Sequence, residues 1–186
     1  MNKVIITGAS GFVGKYLIES LNRVGRPLEV VCITRKSFYN LGGLSSELSN
    51  LSIRTFNADL NDYSSIERLL TEFRPDSVFH LASESSVSHS WANPIESFLN
   101  NTNIFLNLVE SIRKHAIQCR VLSIGSSEEY GVVNPTDLPL LESAPLNPVS
   151  PYAVARVAQE QLSKVYCHGY GMYIVMTRSF NHIGPG

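Results

Sequence analysis

The stretch SPYAVARVAQEQL, Ser150 to Leu162, carries a phenol and a cation one helical turn apart. Ser150 suits a helix N-cap, and Pro151 suits the first helical position, where its missing N–H costs nothing. Tyr152 then falls in the first turn, with Arg156 on the same face. Helical side chains lean toward the N-terminus, so the guanidinium is expected to reach back over the ring. A cation beside a phenol at the positive end of a helix favours the phenolate, which suits acid–base work. Tyr/Arg pairs at this spacing are more often surface contacts, so the pair alone does not decide.

A second constellation bears on phosphate. In TGASGFVGKYL, Gly8, Gly11 and Gly14 lie between an apolar run and an amphipathic one. Gly8 permits a tight turn, Gly11 a close backbone approach to a pyrophosphate, and Gly14 close packing of helix on strand. The phosphates would meet free N–H groups at the helix N-terminus. Ser10, Phe12 and Val13 share this turn and are assigned to the same cofactor site. The second apolar run ends ITRKS, without the acid that a ribose 2′-hydroxyl usually meets. Arg35, helped by Lys36 or Ser37, suits a 2′-phosphate, and the expected cofactor is NADP(H). A basic strand end facing solvent is the competing reading. Asp59 and Leu60 follow the third run and are expected to flank an adenine, unless Asp59 is a simple loop residue.

These residues need a scaffold that brings strand ends together. Strands are predicted at Val4–Thr7, Leu28–Thr34, Ile53–Phe56, Ser77–Leu81, Val121–Ile124 and Tyr173–Thr177. Helices are predicted at Phe12–Val24, Tyr63–Phe73, Pro94–His115 and Pro151–Gly169, with a loop or one short helix in SFYNLGGLSSELSN. Continuous apolar strands alternating with helices predict one α/β domain over residues 1–186, a doubly wound parallel Rossmann sheet with helices on both faces. Ligands then gather at the carboxyl ends of its strands.

Composition narrows the function classes. The chain has 186 residues, 44% hydrophobic and 17% charged, with net charge −1. Such a balance offers no basic footprint for nucleic acid or acidic membranes. No apolar run is long enough to span a bilayer, no signal-peptide layout is present, and a cytoplasmic protein is expected. Cys32, Cys119 and Cys167 are widely spaced and read as reduced thiols rather than disulfide or metal ligands. No metal site is expected, His89 and His182 lacking companion ligands.

Two serine clusters remain: HLASESSVSHSW after the fourth strand and SIGSSEEYG after the fifth, both beside the expected nicotinamide. Together, TGASGFVG, HLAS, FLNNTNIFLNL, GSSEEYG, SPYAVAR and RSFNHIGPG resemble, in order, the motifs of the extended short-chain dehydrogenase/reductase family. Its members are nucleotide-sugar epimerases, dehydratases and reductases. GSSEEYG with RSFNHIGPG looks most like the reductases of GDP-4-dehydro-6-deoxy-D-mannose, with GDP-mannose 4,6-dehydratases as near relatives. The resemblance implies that Tyr152 is the proton donor, that Ser126 hydrogen-bonds the sugar carbonyl, and that Asn101 supports the site. Glu128 matches an acid–base glutamate of dehydratases. Leu81, Ala82 and Ser83 are assigned to the cofactor with Tyr152 and Arg156, and Ser86, Ser127, Asn181 and His182 to the substrate.

Two departures from the family pattern stand out. Arg156 replaces its lysine, which both lowers the tyrosine pKa and grips the nicotinamide ribose; hydride transfer is expected to survive at reduced rate. Ile104-Phe105 replaces a Gly-Thr pair and is expected to alter the packing of the central helix without touching the chemistry. The family also continues beyond NHIGPG with a last strand and a substrate domain. The chain is therefore expected to be a truncated cofactor half that binds NADPH and turns over poorly. The function expected is NADP(H)-dependent reduction of a nucleotide-sugar C4 ketone, with dehydratase, epimerase or a non-catalytic NADP-binding role as alternatives. Relatives pair through helices 94–115 and 151–169, so a homodimer through them is considered, with Val154, Val157, Ala158, Leu162 and Val165 facing either the sheet or a partner. Trp91 and His89 are expected near the active-site mouth.

Overall fold

The computed structural model describes residues 2–35 and 48–185. Lys36, Ser37 and the segment expected as a loop or short helix after the second strand fall largely outside those residues. Six parallel strands form one sheet in the order β3-β2-β1-β4-β5-β6. They are β1 (Asn2–Thr7), β2 (Leu28–Thr34), β3 (Leu51–Asn57), β4 (Ser77–His80), β5 (Arg120–Ile124) and β6 (Tyr173–Thr177). The helices are α1 (Phe12–Arg23), α2 (Tyr63–Phe73), α3 (Val87–Ala92), α4 (Pro94–Lys114) and α5 (Pro151–Tyr170), with 3-10 turns at Ser127–Tyr130 and Pro135–Asp137.

Each central strand sends alternate side chains to two cores. Ile5, Val31 and Ile33 pack with Ile66 and Leu70 of α2 and with Phe105, Leu108 and Ile112 of α4. Val4, Ile6, Val30 and Cys32 pack on the other face with Ile18 of α1. Period-two alternation between two covered faces is why these strands read as continuous apolar runs. The outer strand β3 is only half-buried, alternating intermediate and exposed positions.

Several boundaries differ from expectation by one or two residues, and one helix was not predicted. Helix α5 continues past Gly169 to Tyr170, because Gly171 at φ 66° takes the left-handed cap. Strand β4 stops at His80, since Leu81 already turns toward the site. Helix α3 has no strong apolar period in the sequence; Ser86 starts it by accepting the His89 N–H at 3.1 Å.

Candidate functional site

The strand order reverses between β1 and β4, so their carboxyl ends splay open there. Thr7 and His80 tie the two ends together. The Thr7 Oγ1 lies 3.0 Å from His80 Nδ1 and accepts the Ala82 N–H at 3.1 Å. Above this tie lies a cavity of about 700 Å³.

The glycine turn forms one wall. Gly8 has φ +67°, and a Cβ there would meet the Ala82 backbone at 2.7 Å. Gly14 is equally constrained, because its Cβ would lie 2.1 Å from the Ala9 carbonyl oxygen. At Gly11 a Cβ would meet only Gly8 O, at 3.2 Å, so the space above it is open toward a ligand. Gly11 is the N-cap of α1 and no side chain caps that end. The first amides of the helix are thus left for an anion. Ser10, Phe12 and Val13 line the same wall.

The far end is lined by Ile33, Thr34 and Arg35 from β2 and by Ala58, Asp59 and Leu60 after β3. Asp59 accepts the Asn61 N–H at 2.9 Å, and Leu60 O accepts Asn107 Nδ2 at 2.8 Å, fixing this loop. Ile104 lines the cavity as well, while Phe105 packs its ring 5.9 Å from that of His80. The Ile104-Phe105 bulk therefore fills the core and, at Ile104, also reaches the cavity wall.

The near end gathers Leu81, Ala82, Ser83, Ser126, Glu128, Tyr152, Arg156, Asn181 and His182. Ser150 caps α5 by accepting the Ala153 N–H at 3.1 Å, which sets Tyr152 in the first turn. The Arg156 guanidinium carbon lies 5.1 Å from the Tyr152 ring centroid, so the cation does lean over the phenol. Its NH1 donates to Ile124 O at 3.2 Å and to Gln159 Oε1 at 2.7 Å. Gln159 in turn donates to Ser123 Oγ at 2.7 Å. The guanidinium is thus clipped to the end of β5. Ser126 Oγ accepts the Glu128 N–H at 3.2 Å, leaving its own proton to donate into the cavity.

Three sequence candidates stand outside the cavity lining. Asn101 is fully buried and holds Glu84 by both backbone groups, at 2.9 and 3.1 Å, bracing the loop after β4. Ser86 caps α3, and the Ser127 N–H donates to Ser179 O at 2.8 Å. The lining also includes Glu84, Ser85, Asn100, Thr177 and Ser179, which the sequence reading passed over. Glu84, Ser85, Asn100 and Ser179 lie inside the motif stretches, and Thr177 ends the sixth strand, but nothing in their types marks them for the site. Trp91 is 64% exposed on an apolar groove and not on the cavity, which corrects its expected position. Among the described residues no group of histidine, cysteine or acidic side chains could hold a metal ion. No described helix is long and apolar enough to cross a membrane.

A glycine-lined helix N-terminus at a switch in strand order, leading to a Ser/Tyr/Arg cluster, defines the Rossmann class of α/β domain. The chain belongs to the GDP-mannose 4,6 dehydratase family, whose model matches residues 5–186. It is 33% identical to the GDP-mannose 4,6-dehydratase of Vibrio cholerae, covering 98% of this chain and 50% of that one. To the GDP-6-deoxy-D-mannose reductase of Pseudomonas aeruginosa it is 29% identical, over 99% of this chain and 53% of that one. Among solved structures, RMD from Pseudomonas aeruginosa complexed with NADPH superposes with a TM-score of 0.80 at 29% identity, covering 100% of this chain and 55% of that one. The Thermus thermophilus UDP-glucose 4-epimerase complex with NAD gives 0.78 at 30% identity, covering 95% and 54%. The chain spans about half the length of the curated relatives it matches.

Proposed function

We propose that this chain carries the cofactor site and the catalytic groups of an NADP(H)-dependent reductase acting on the C4 ketone of a GDP-linked 6-deoxyhexose. The observation that carries the reading is one cavity joining the open turn at Gly11 to Ser126 and Tyr152. Bound there, a nicotinamide dinucleotide supplies hydride. The residues do the rest. Ser126 donates its free hydroxyl proton to the ketone oxygen, where negative charge develops. Tyr152 delivers the proton that completes the alcohol. Arg156, fixed against Ile124 O and Gln159, sustains a positive charge beside the ring through the cycle. A guanidinium so anchored is poorly free to grip a ribose, which supports the expected reduction in rate. Asn181 and His182 face the substrate side, and Arg35 suits the 2′-phosphate at the opposite end. The NADPH in the RMD structure supports that choice, and the NAD in the epimerase structure marks the alternative.

A second reading has one specific observation in its favour. Glu128 is exposed on the cavity wall, where an acid–base carboxylate would serve elimination in a 4,6-dehydratase. Calorimetric titration with NADPH and NADH, followed by an assay of reduction on GDP-4-dehydro-6-deoxymannose and of dehydration on GDP-mannose, tests both. A reductase consumes NADPH one-for-one with product; a dehydratase recycles its cofactor and shows no net consumption. Absence of binding to either dinucleotide defeats both.

We also propose that the chain pairs with a second copy through α4 and α5. Trp91, Ile95, Phe98, Leu99, Val149 and Val154 are exposed and border an apolar groove of about 650 Å³ at the N-terminal ends of these helices. Val165 is also exposed, whereas Leu162 packs into the core.

A further inference from the structure

Three consecutive backbone amides carry Ser126 into the cavity, and each has a different anchor. Gly125 N–H donates to Thr177 O at 2.9 Å, and Ser127 N–H to Ser179 O at 2.8 Å. The middle amide, that of Ser126 itself, donates to the Glu129 carboxylate at 2.7 Å. Glu129 is wholly buried under the turn it caps. Gly125 leaves room for it, because a Cβ there would fall 2.4 Å from Glu129 Oε1.

The other carboxyl oxygen, Oε2, is buried without a hydrogen-bond partner. The Glu160 carboxyl of α5 lies against the Glu129 carboxyl. Glu160 is committed elsewhere, to the Arg178 Nε and NH2 at 2.8 Å each and to Lys164 Nζ at 2.8 Å. Arg178 stacks 4.9 Å from the Tyr130 ring centroid and spends NH1 on Glu142 O at 3.0 Å. The charged and titratable groups around Glu129 are thus Glu160 and Lys164 from α5, Arg178 after β6, and Tyr130 in its own turn. The two cations are both engaged by Glu160. A second ionised carboxylate here would be buried and uncompensated.

We propose that Glu129 is a positioning residue for Ser126: as the neutral acid it accepts the Ser126 N–H on one oxygen and donates its own proton to Glu160 from the other. Burial, the Glu160 charge adding to it, pushes Glu129 up to about 7, while Glu160 is held near 2 chiefly by Arg178. When Glu129 ionises, the shared proton to Glu160 is lost and the two carboxylates repel, while the Ser126 N–H bond, which favours the charged form, holds. The catalytic meaning rests on the reading of Ser126 given above; the proton-sharing contact does not.

The test compares wild type with Glu129→Gln and Glu129→Leu. A wild-type minus Glu129→Gln infrared difference spectrum should show a protonated-carboxyl band at about pH 5.5 that is lost by about pH 8.5. Amide exchange at Ser126, corrected for its intrinsic pH dependence, should stay protected over that range in wild type and Glu129→Gln, about tenfold slower than in Glu129→Leu, the scale of one lost buried hydrogen bond. Glu129→Leu should exchange fast at both; should it fail to fold, the wild-type and Gln measurements carry the test. No such band at any pH, or Ser126 protection in folded Glu129→Leu equal to wild type, overturns the proposal. NADPH titration of the same samples separates the two ideas: binding failure with the band intact defeats the proposed function and leaves Glu129's role standing.

Discussion

Arg156 is the residue where this chain most changes the behaviour of its own site. Its charge is fixed by Ile124 O and Gln159, and its Nε is buried without a partner, so the side chain cannot swing toward a cofactor ribose without breaking the clip. In the full-length protein, Arg156→Lys is expected to raise turnover by up to about tenfold through better positioning, while costing about 1 kcal/mol of stability from the lost clip. Steady-state kinetics and a urea melt check the two halves, and no gain in turnover would defeat the first. Tyr152→Phe removes the proposed proton donor and should lower kcat by about 10²–10⁴-fold with cofactor affinity kept. His80 makes a different statement, about acid. Burial, with Arg156 nearby, pulls its pKa down to about 3, so the folded protein holds it neutral. A histidine with a depressed folded pKa contributes stability above its unfolded pKa and loses it as pH falls. Below about 6.5 the melt should therefore weaken by about 1.4 kcal/mol per pH unit toward 3, and His80→Gln should flatten that slope.

Helix α5 joins two jobs, since its first turn presents Tyr152 and its exposed face carries the proposed pairing surface. Ser150→Ala removes the cap and should cost about 1 kcal/mol, with a larger relative loss of catalysis than of stability because the first turn frays. On the pairing face, Trp91→Asp with Ile95→Lys should convert a dimer to a monomer in sedimentation without weakening NADPH binding. If the unaltered chain sediments as a monomer, the pairing proposal falls. The elements themselves were legible because each combined a period with punctuation: Ser150-Pro151 opened α5, and the glycine turn separated β1 from α1. Helix α3 was not legible, since VSHSWA has neither apolar period nor strong formers and depends on Ser86 and its neighbours. The Glu129 support did leave a trace. Ser126-Ser127-Glu128-Glu129 is a capping-box spacing, but only the packing of α5 and β6 shows why the glutamate is buried.

At the scale of the whole molecule, the cavity is a property of strand order and not of any one motif. Gly8, Arg35, Ser126 and Tyr152 meet only because β1 and β4 are neighbours and β2 and β5 flank them. Arg35→Ala tests that architecture at its far end: NADPH affinity should fall about tenfold or more and NADH affinity should hardly change, if Arg35 makes the proposed charge-assisted contact to the 2′-phosphate. Sequence periodicity reached the sheet and its alternation, because the two-faced burial of the central strands writes itself into continuous apolar runs. It did not reach the side chains that converge on the site from the end of β6 and beyond, such as Thr177 and Ser179. The same strand order has a consequence for how the chain is made. β1 lies mid-sheet, yet one of its neighbours, β4, begins 70 residues after β1 ends, at Ser77. While the chain emerges from a ribosome, β1 and β2 can pair early, but the second edge of β1, with Val4, Ile5 and Ile6 beside it, stays open until β4 is synthesised. Nascent chains halted before Ser77 should therefore be the ones that engage chaperones or aggregate, and those halted well after His80 should not.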